Sequence, residues 1–375
     1  MASTLAVTRS QGVVYGIFVA FGISLGMLQT AANVYITVYG TPRHSVFRIN
    51  FAHCISGASA VAASAITFLI GQVHWRGPAS TAWACLVLAI QWSTCALAMY
   101  LNLPCWSRGV IPEITDADMQ NLAGKVLDGE SRSVSHRLVN SHRLPFFKQY
   151  RLFIAAAARF TYVGAQVATV AYLDYYVHGN LVDSTTLPGG KVLLIALGTL
   201  ALGEIVGTAI IASRILRPTM LLLVCLFSAN VALLNPSVLV FGGIPGTVLI
   251  FLSLVFQAIC SPTIFALGLL GLATHTKPGA GLMNSTKVGG ACFTSLMLLV
   301  ASRSGNVNVT MAVPAGLLCI CYVYAIVAVC SKQYSEVVNA FWEAPDGIVS
   351  AQSVSGGRNG GHGVEMDDRA DASSK

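Results

Sequence analysis

The sequence predicts an all-α polytopic membrane protein, and three observations predict it. Hydrophobic residues make up 55% of the 375 positions and charged residues only 10%, against roughly 25% charged in soluble domains. Apolar runs long enough to cross a bilayer as helices recur from end to end. Polar sequence gathers in one central stretch, 105 to 150, and in a tail from about residue 333.

Nine runs reach spanning length: about 12 to 36, 48 to 72, 80 to 104, 151 to 177, 190 to 213, 217 to 237, 246 to 271, 281 to 302 and 309 to 331. They divide the chain into an incomplete N-terminal bundle of three spans (1–104), a central loop (105–150), a C-terminal six-helix bundle (151–332) and a tail (333–375). The loop carries Arg108, Lys125, Arg132, Arg137, Arg143 and Lys148, and the positive-inside bias places it in the cytosol. Alternation then puts Arg43, Arg214, Arg217, Lys277 and Lys332 on the same side. It also leaves an odd span count with the first residue outside, so a segment upstream is expected. The tail, ending in SVSGGRNGGHGVEMDDRADASSK, has little to bury and reads as disordered.

Several function classes fall away. The net charge of +7 sits mostly between apolar runs, where topology is decided, so no nucleic-acid partner is expected. Of the ten cysteines all but Cys105 lie inside apolar runs, without paired spacing or histidines arranged as ligands, which argues against disulfides and zinc. No span pairs a nucleophile with a base, and Gly-rich stretches lack strand and Walker context. No catalytic residue, metal or cofactor is therefore expected. Gly22 with Gly26, and Gly289 with Gly290, read as points of close helix approach. Pro262, inside an apolar run, is expected to break its helix and free a carbonyl near Ser261 or earlier.

Three stretches carry a resemblance. LQTAANVYITVYG with FRINFAH (28 to 53), RFTYVGAQVATVAYLDYYV (159 to 177) and SPTIFALGLLGLATHTKPGAGLM with VGGA (261 to 291) are similar to the fucose:proton symporter family of the major facilitator superfamily. LPCWSRGVIPEITDADM resembles the start of that family's central loop. The chain's first span resembles the family's fourth, so three spans of the twelve-helix fold are expected to be absent. The resemblance implies a secondary carrier in the plasma membrane for a fucose- or hexose-like sugar, with protons as a second partner. The other reading is a transport-inactive relative or truncated gene product, acting as a sensor or scaffold.

The same resemblance marks a sugar site. The family's glutamate is Gln29 here, which cannot titrate but offers a donor and an acceptor to a hydroxyl. Proton coupling through that position is lost. Asn33, one turn on, shares its face. The family's glutamine and asparagine on the next span are His53 and Ser56. Histidine titrates near neutrality, so His53 reads as a substitute proton carrier or as a neutral ring bonded to a neighbouring helix. Tyr162 and Gln166, spaced i, i+4, stand as the family has them and read as cavity liners. Val170 and Ser261 replace bulkier side chains expected to stack on a sugar.

Charges within spans are few because each costs about 2.5 to 3.5 kcal/mol or more at the bilayer centre. Asp174 lies near a span end, where water is the default. Glu204 stands where the family usually has arginine, and Arg159 where an uncharged residue is usual. Glu204 is expected to pair with Arg159 or with Lys287; snorkelling of the two long cations toward the interface is the competing reading.

Overall fold

Eight of the predicted spans can be followed in space, and each is helical. The structure is a computed structural model, and it describes residues 11–38, 44–72, 145–180, 189–238, 243–270, 272, 275–332, 334, 335, 338 and 342. The predicted span 80–104 and most of the central loop lie outside those residues. The helices are α1 (Gln11–Val38), α2 (Ser45–Gln72), α3 (Tyr150–Asn180), α4 (Gly189–Ser213), α5 (Pro218–Val238), α6 (Gly243–Gln257), α7 (Cys260–Leu269), α8 (Thr276–Ser285), α9 (Val288–Ser304), α10 (Val307–Thr310) and α11 (Ala312–Cys330). Pairs α6–α7, α8–α9 and α10–α11 are each one span with an interruption, so the described residues hold eight candidate spans.

Two of those interruptions follow from the sequence. Proline lacks the N–H that would bond the carbonyl four residues back. Pro262 therefore leaves the Ala258 carbonyl without its helical donor, and α6 gives way to α7 across Ala258 and Ile259. Between α8 and α9 the chain tightens instead: Lys287 N bonds Asn284 O at 3.2 Å, Gly289 N bonds Thr286 O at 3.0 Å and Gly290 N bonds Lys287 O at 3.0 Å. These are i to i−3 bonds of 3₁₀ type. The turn places Lys287 and Asn284 where the helix axis shifts.

Hydroxyls inside spans are satisfied locally, as in Ser24 to Ala20 O at 2.9 Å, Thr169 to Ala165 O at 2.8 Å and Thr294 to Gly290 O at 2.6 Å. In hydrocarbon every polar group needs such a partner. Large apolar side chains point outward over the helical surface, among them Leu298, Val323 and Leu202. Outward apolar faces on eight helices of spanning length among the described residues describe an integral membrane protein.

The core lies in the C-terminal six spans. Helix α3 runs through their middle, packed on α9, α11 and α7, and buries Leu152, Tyr162, Ala165, Leu173 and Tyr176. A β-carbon on Gly289 would strike the Phe160 carbonyl, so this glycine sets the α3–α9 approach. Gly22 and Gly26 have nothing near their would-be β-carbons. The expected GxxxG step of α1 therefore has no partner helix among the described residues. Helix α2 packs chiefly on α4 and then on α7, while α1 meets α8 and α2.

Three apolar residues beyond the predicted boundary at 333 are packed against the helices. Tyr334, Val338 and Trp342, at i, i+4 and i+8, are helical positions, and the first two are 1% and 2% exposed. Tyr334 donates to Arg151 O at 2.7 Å, under the Arg151 guanidinium at 4.6 Å from the ring centre. Trp342 lies against Arg214 and closes one side of a cavity of about 170 Å³ with His44, Phe47 and Ile211. A polar segment can still be docked by three apolar residues at helical spacing. The boundary at 333 is thus corrected for these residues.

Candidate functional site

The polar side chains meet where α1 and α2 face the C-terminal bundle. On α1, Gln29, Thr30 and Asn33 fall within five residues and on adjoining turns. Opposite them stand Asn284, in the last turn of α8, and Lys287, in the α8–α9 break. The Asn284 amide donates to Thr30 Oγ1 at 2.9 Å, and its carbonyl accepts from Asn33 Nδ2 at 3.2 Å. Lys287 Nζ donates to Gln29 Oε1. These bonds make a polar seam between the two halves of the described chain. Gln29 and Asn33 thus share a face as expected. Thr30 and Asn284 were not singled out in the sequence, since lone hydroxyls and amides in apolar runs carry no local signal.

Arg159, fully buried on α3, bonds across the same region. Its Nη1 donates to Met283 O, one residue before Asn284, and its Cζ lies 4.7 Å from the centre of the Phe265 ring. The Nε and Nη2 edge finds no acceptor among the described residues. His53, half-buried on α2, lies within electrostatic range of both Arg159 and Lys287.

The expected charge pair does not form. Glu204 makes no ion pair with Arg159 or Lys287, although all three are described. Its carboxylate lies against Gly57 of α2, whose lack of a side chain leaves room for it, and Oε2 is buried without a hydrogen-bond partner among the described residues. Depth along a span, which motivated the pairing, does not fix the direction in which a side chain leaves its helix. Snorkelling fails equally for Arg159, which is 0% exposed. Asp174 is exposed beside His178 at 3.3 Å, in keeping with a water-facing span end.

The remaining predicted residues separate. Tyr162 is 0% exposed and donates to the Gln257 carbonyl at the end of α6, so it tethers the helix break rather than lining a cavity. Gln166 is half-buried on the same helix. Ser261 is half-buried just after the break, and Ser56 is exposed. His53 has no hydrogen bond to a neighbouring helix among the described residues. Two side chains of the α2–α7 contact were missed: Asn50, 1% exposed, and Thr263, which bonds it at 3.4 Å.

No family model matches the chain. Single proteins and folds do. The L-fucose-proton symporter of Escherichia coli is 26% identical over 322 residues, covering 83% of this chain and 70% of that protein. A crystal structure of the E. coli fucose:proton symporter, carrying one alanine substitution, superimposes with a TM-score of 0.61 at 25% identity, covering 80% of this chain and 73% of the other. A major facilitator transporter in the outward conformation gives a TM-score of 0.59 at 24% identity over 80% and 72% of the two chains. The chain is homologous to the E. coli L-fucose-proton symporter and shares the major facilitator fold of its crystal structure. In that fold two helical bundles face each other across a central site. The Gln29–Asn33–Asn284–Lys287 seam joins α1 to α8 and the turn that follows it.

Proposed function

We propose that the protein is a secondary carrier for a sugar-sized solute, working by rocking its two helical bundles around the seam between α1 and α8. The single observation that carries this is the homology with a sugar symporter along 83% of the chain, combined with a polar seam lying between the bundles. Gln29, Asn33, His53 and Gln166, with Asn284 from the facing half, supply the amide and imidazole groups suited to hydroxyls. Ser56 and Ser261 lie at its margin, and Tyr162 holds the α6–α7 break. The carrier belongs in the plasma membrane, with residues 105–150 and the tail on the cytosolic side by the positive-inside bias. Its chemistry is binding and release, not bond breaking.

Proton coupling is weak in this reading, because Gln29 stands where the family places a carboxylate. Any coupling that remains falls on Glu204, the deeply placed carboxylate of these spans. The test is uptake of labelled fucose, galactose, glucose and galacturonate into transporter-deficient cells, with and without an uncoupler. Saturable uptake that survives the uncoupler is expected. Absence of uptake for every sugar removes the carrier reading, and uptake abolished by the uncoupler with the membrane intact removes the weak-coupling reading. Glu204→Gln then reports whether that carboxylate carries the proton.

A further inference from the structure

Two cations converge at the seam without a counter-ion among the described residues. Arg159 is 0% exposed, and a guanidinium does not lose its charge in proteins. One of its five N–H groups is used on the Met283 carbonyl, and one face lies against Phe265. The Nε and Nη2 edge, where two parallel N–H groups form a fork, is left without an acceptor among the described residues. Lys287, four residues beyond Met283, is bonded to the neutral amide of Gln29 and lies within electrostatic range of Arg159.

The carboxylates within the spans do not answer this charge. Asp174 is exposed beside His178, and Glu204 is held against Gly57 without an ion pair to either cation. The predicted span 80–104 contains no Asp or Glu. A buried cation missing its partner is strongly destabilising, whereas one completed by a carboxylate in fork geometry is not.

We infer that the solute itself supplies the missing charge: the site takes a monosaccharide acid, a uronate or aldonate, with its carboxylate side-on to the Nε–Nη2 edge of Arg159 and within reach of Lys287. This rests on the carrier reading and narrows it. The planar two-oxygen group matches the fork; a phosphate can also be held side-on by such a fork, and the phosphate arm of the titration separates the two. The sugar hydroxyls fall to Asn33, Asn284 and the free NH₂ of Gln29. Arg159 is closed in this structure, so the carboxylate enters when α1 and α2 swing away from α8.

The test is tryptophan fluorescence of the purified full-length protein in nanodiscs, titrated at constant ionic strength. The probes are galacturonate, its neutral amide, galactose, fucose, galactose 6-phosphate and sulfate. Galacturonate should bind about tenfold to a hundredfold more tightly than its amide or galactose, the range of one charge-assisted contact. Arg159→Lys and Arg159→Gln should erase most of that preference. Lys287→Gln, on a half-buried side chain, should reduce it by a smaller factor and serves if the Arg159 variants fail to fold. Equal affinity for galacturonate and galactose overturns the inference while the carrier reading stands. No saturable response to any sugar removes both, and tighter binding of the phosphate, or sulfate competing as well as galacturonate, rules out the carboxylate fork.

Discussion

The two halves of the described chain are held in different ways. In α3 and α6–α7, 56% and 67% of the most apolar window is buried, while in α1 none is and in α2 only 6%. The C-terminal spans are joined by close apolar packing, with Phe265, Leu226 and Leu254 inaccessible. Helix α1 is joined by three side-chain hydrogen bonds to α8 and the turn after it. In hydrocarbon, apolar contact brings little preference for protein over lipid, so packing fit and interhelical hydrogen bonds decide. A tightly fitted bundle is costly to deform. Helix α1, attached through a few amides, can part and re-form, which is what an element that moves against a fixed partner requires, whereas α2 is packed along α4.

Breaking the fitted side should give the largest effect. Phe265→Ala removes a buried ring and the surface over which Arg159 lies, and should cost about 3 to 5 kcal/mol, read as loss of folded protein in a detergent thermal melt. Met27→Ala, on the 70%-exposed outer face of α1, should fall within about 0.5 kcal/mol of the parent. If the two variants melt alike, the contrast between the halves is wrong.

Breaking the seam should matter less for stability and more for motion. Asn284→Ala deletes the donor to Thr30 and the acceptor from Asn33, each bond contributing about 0.5 to 1.5 kcal/mol. Crosslinking between cysteines placed on α1 and α8 should slow in this variant, while the melt of the C-terminal spans shifts little. The smallest effect is a coupling. Because Glu204 and Arg159 make no contact, Glu204→Gln and Arg159→Gln should combine additively within about 0.5 kcal/mol. A double variant clearly more stable than the sum of the singles would restore the ion pair expected from their depth.

The spans were legible because a bilayer demands length and apolarity, and both are counted along a line. The eight described spans overlap eight of the predicted runs one for one, and Pro262 marked its break because a missing N–H acts locally. Pairings were not legible in the same way. Arg159 and Glu204 lie at similar depths, yet azimuth and the space left by Gly57 send the carboxylate elsewhere. Asn33 was found through its spacing from Gln29; Asn284 was not, since its partner is 251 residues away in sequence. Tyr162, which resemblance and spacing placed among cavity liners, has its hydroxyl on the Gln257 carbonyl, a partner 95 residues away in sequence.

The docked Tyr334, Val338 and Trp342 change what an experiment on the far end of the chain reports. Trp342 lies against Arg214 in the turn after α4 and shares a cavity with Phe47 at the start of α2, so once the other four of the five tryptophans are replaced its emission should track the distance between α2 and α4. A fusion partner spliced in ahead of it would displace that wedge and alter the movement it was meant to leave undisturbed.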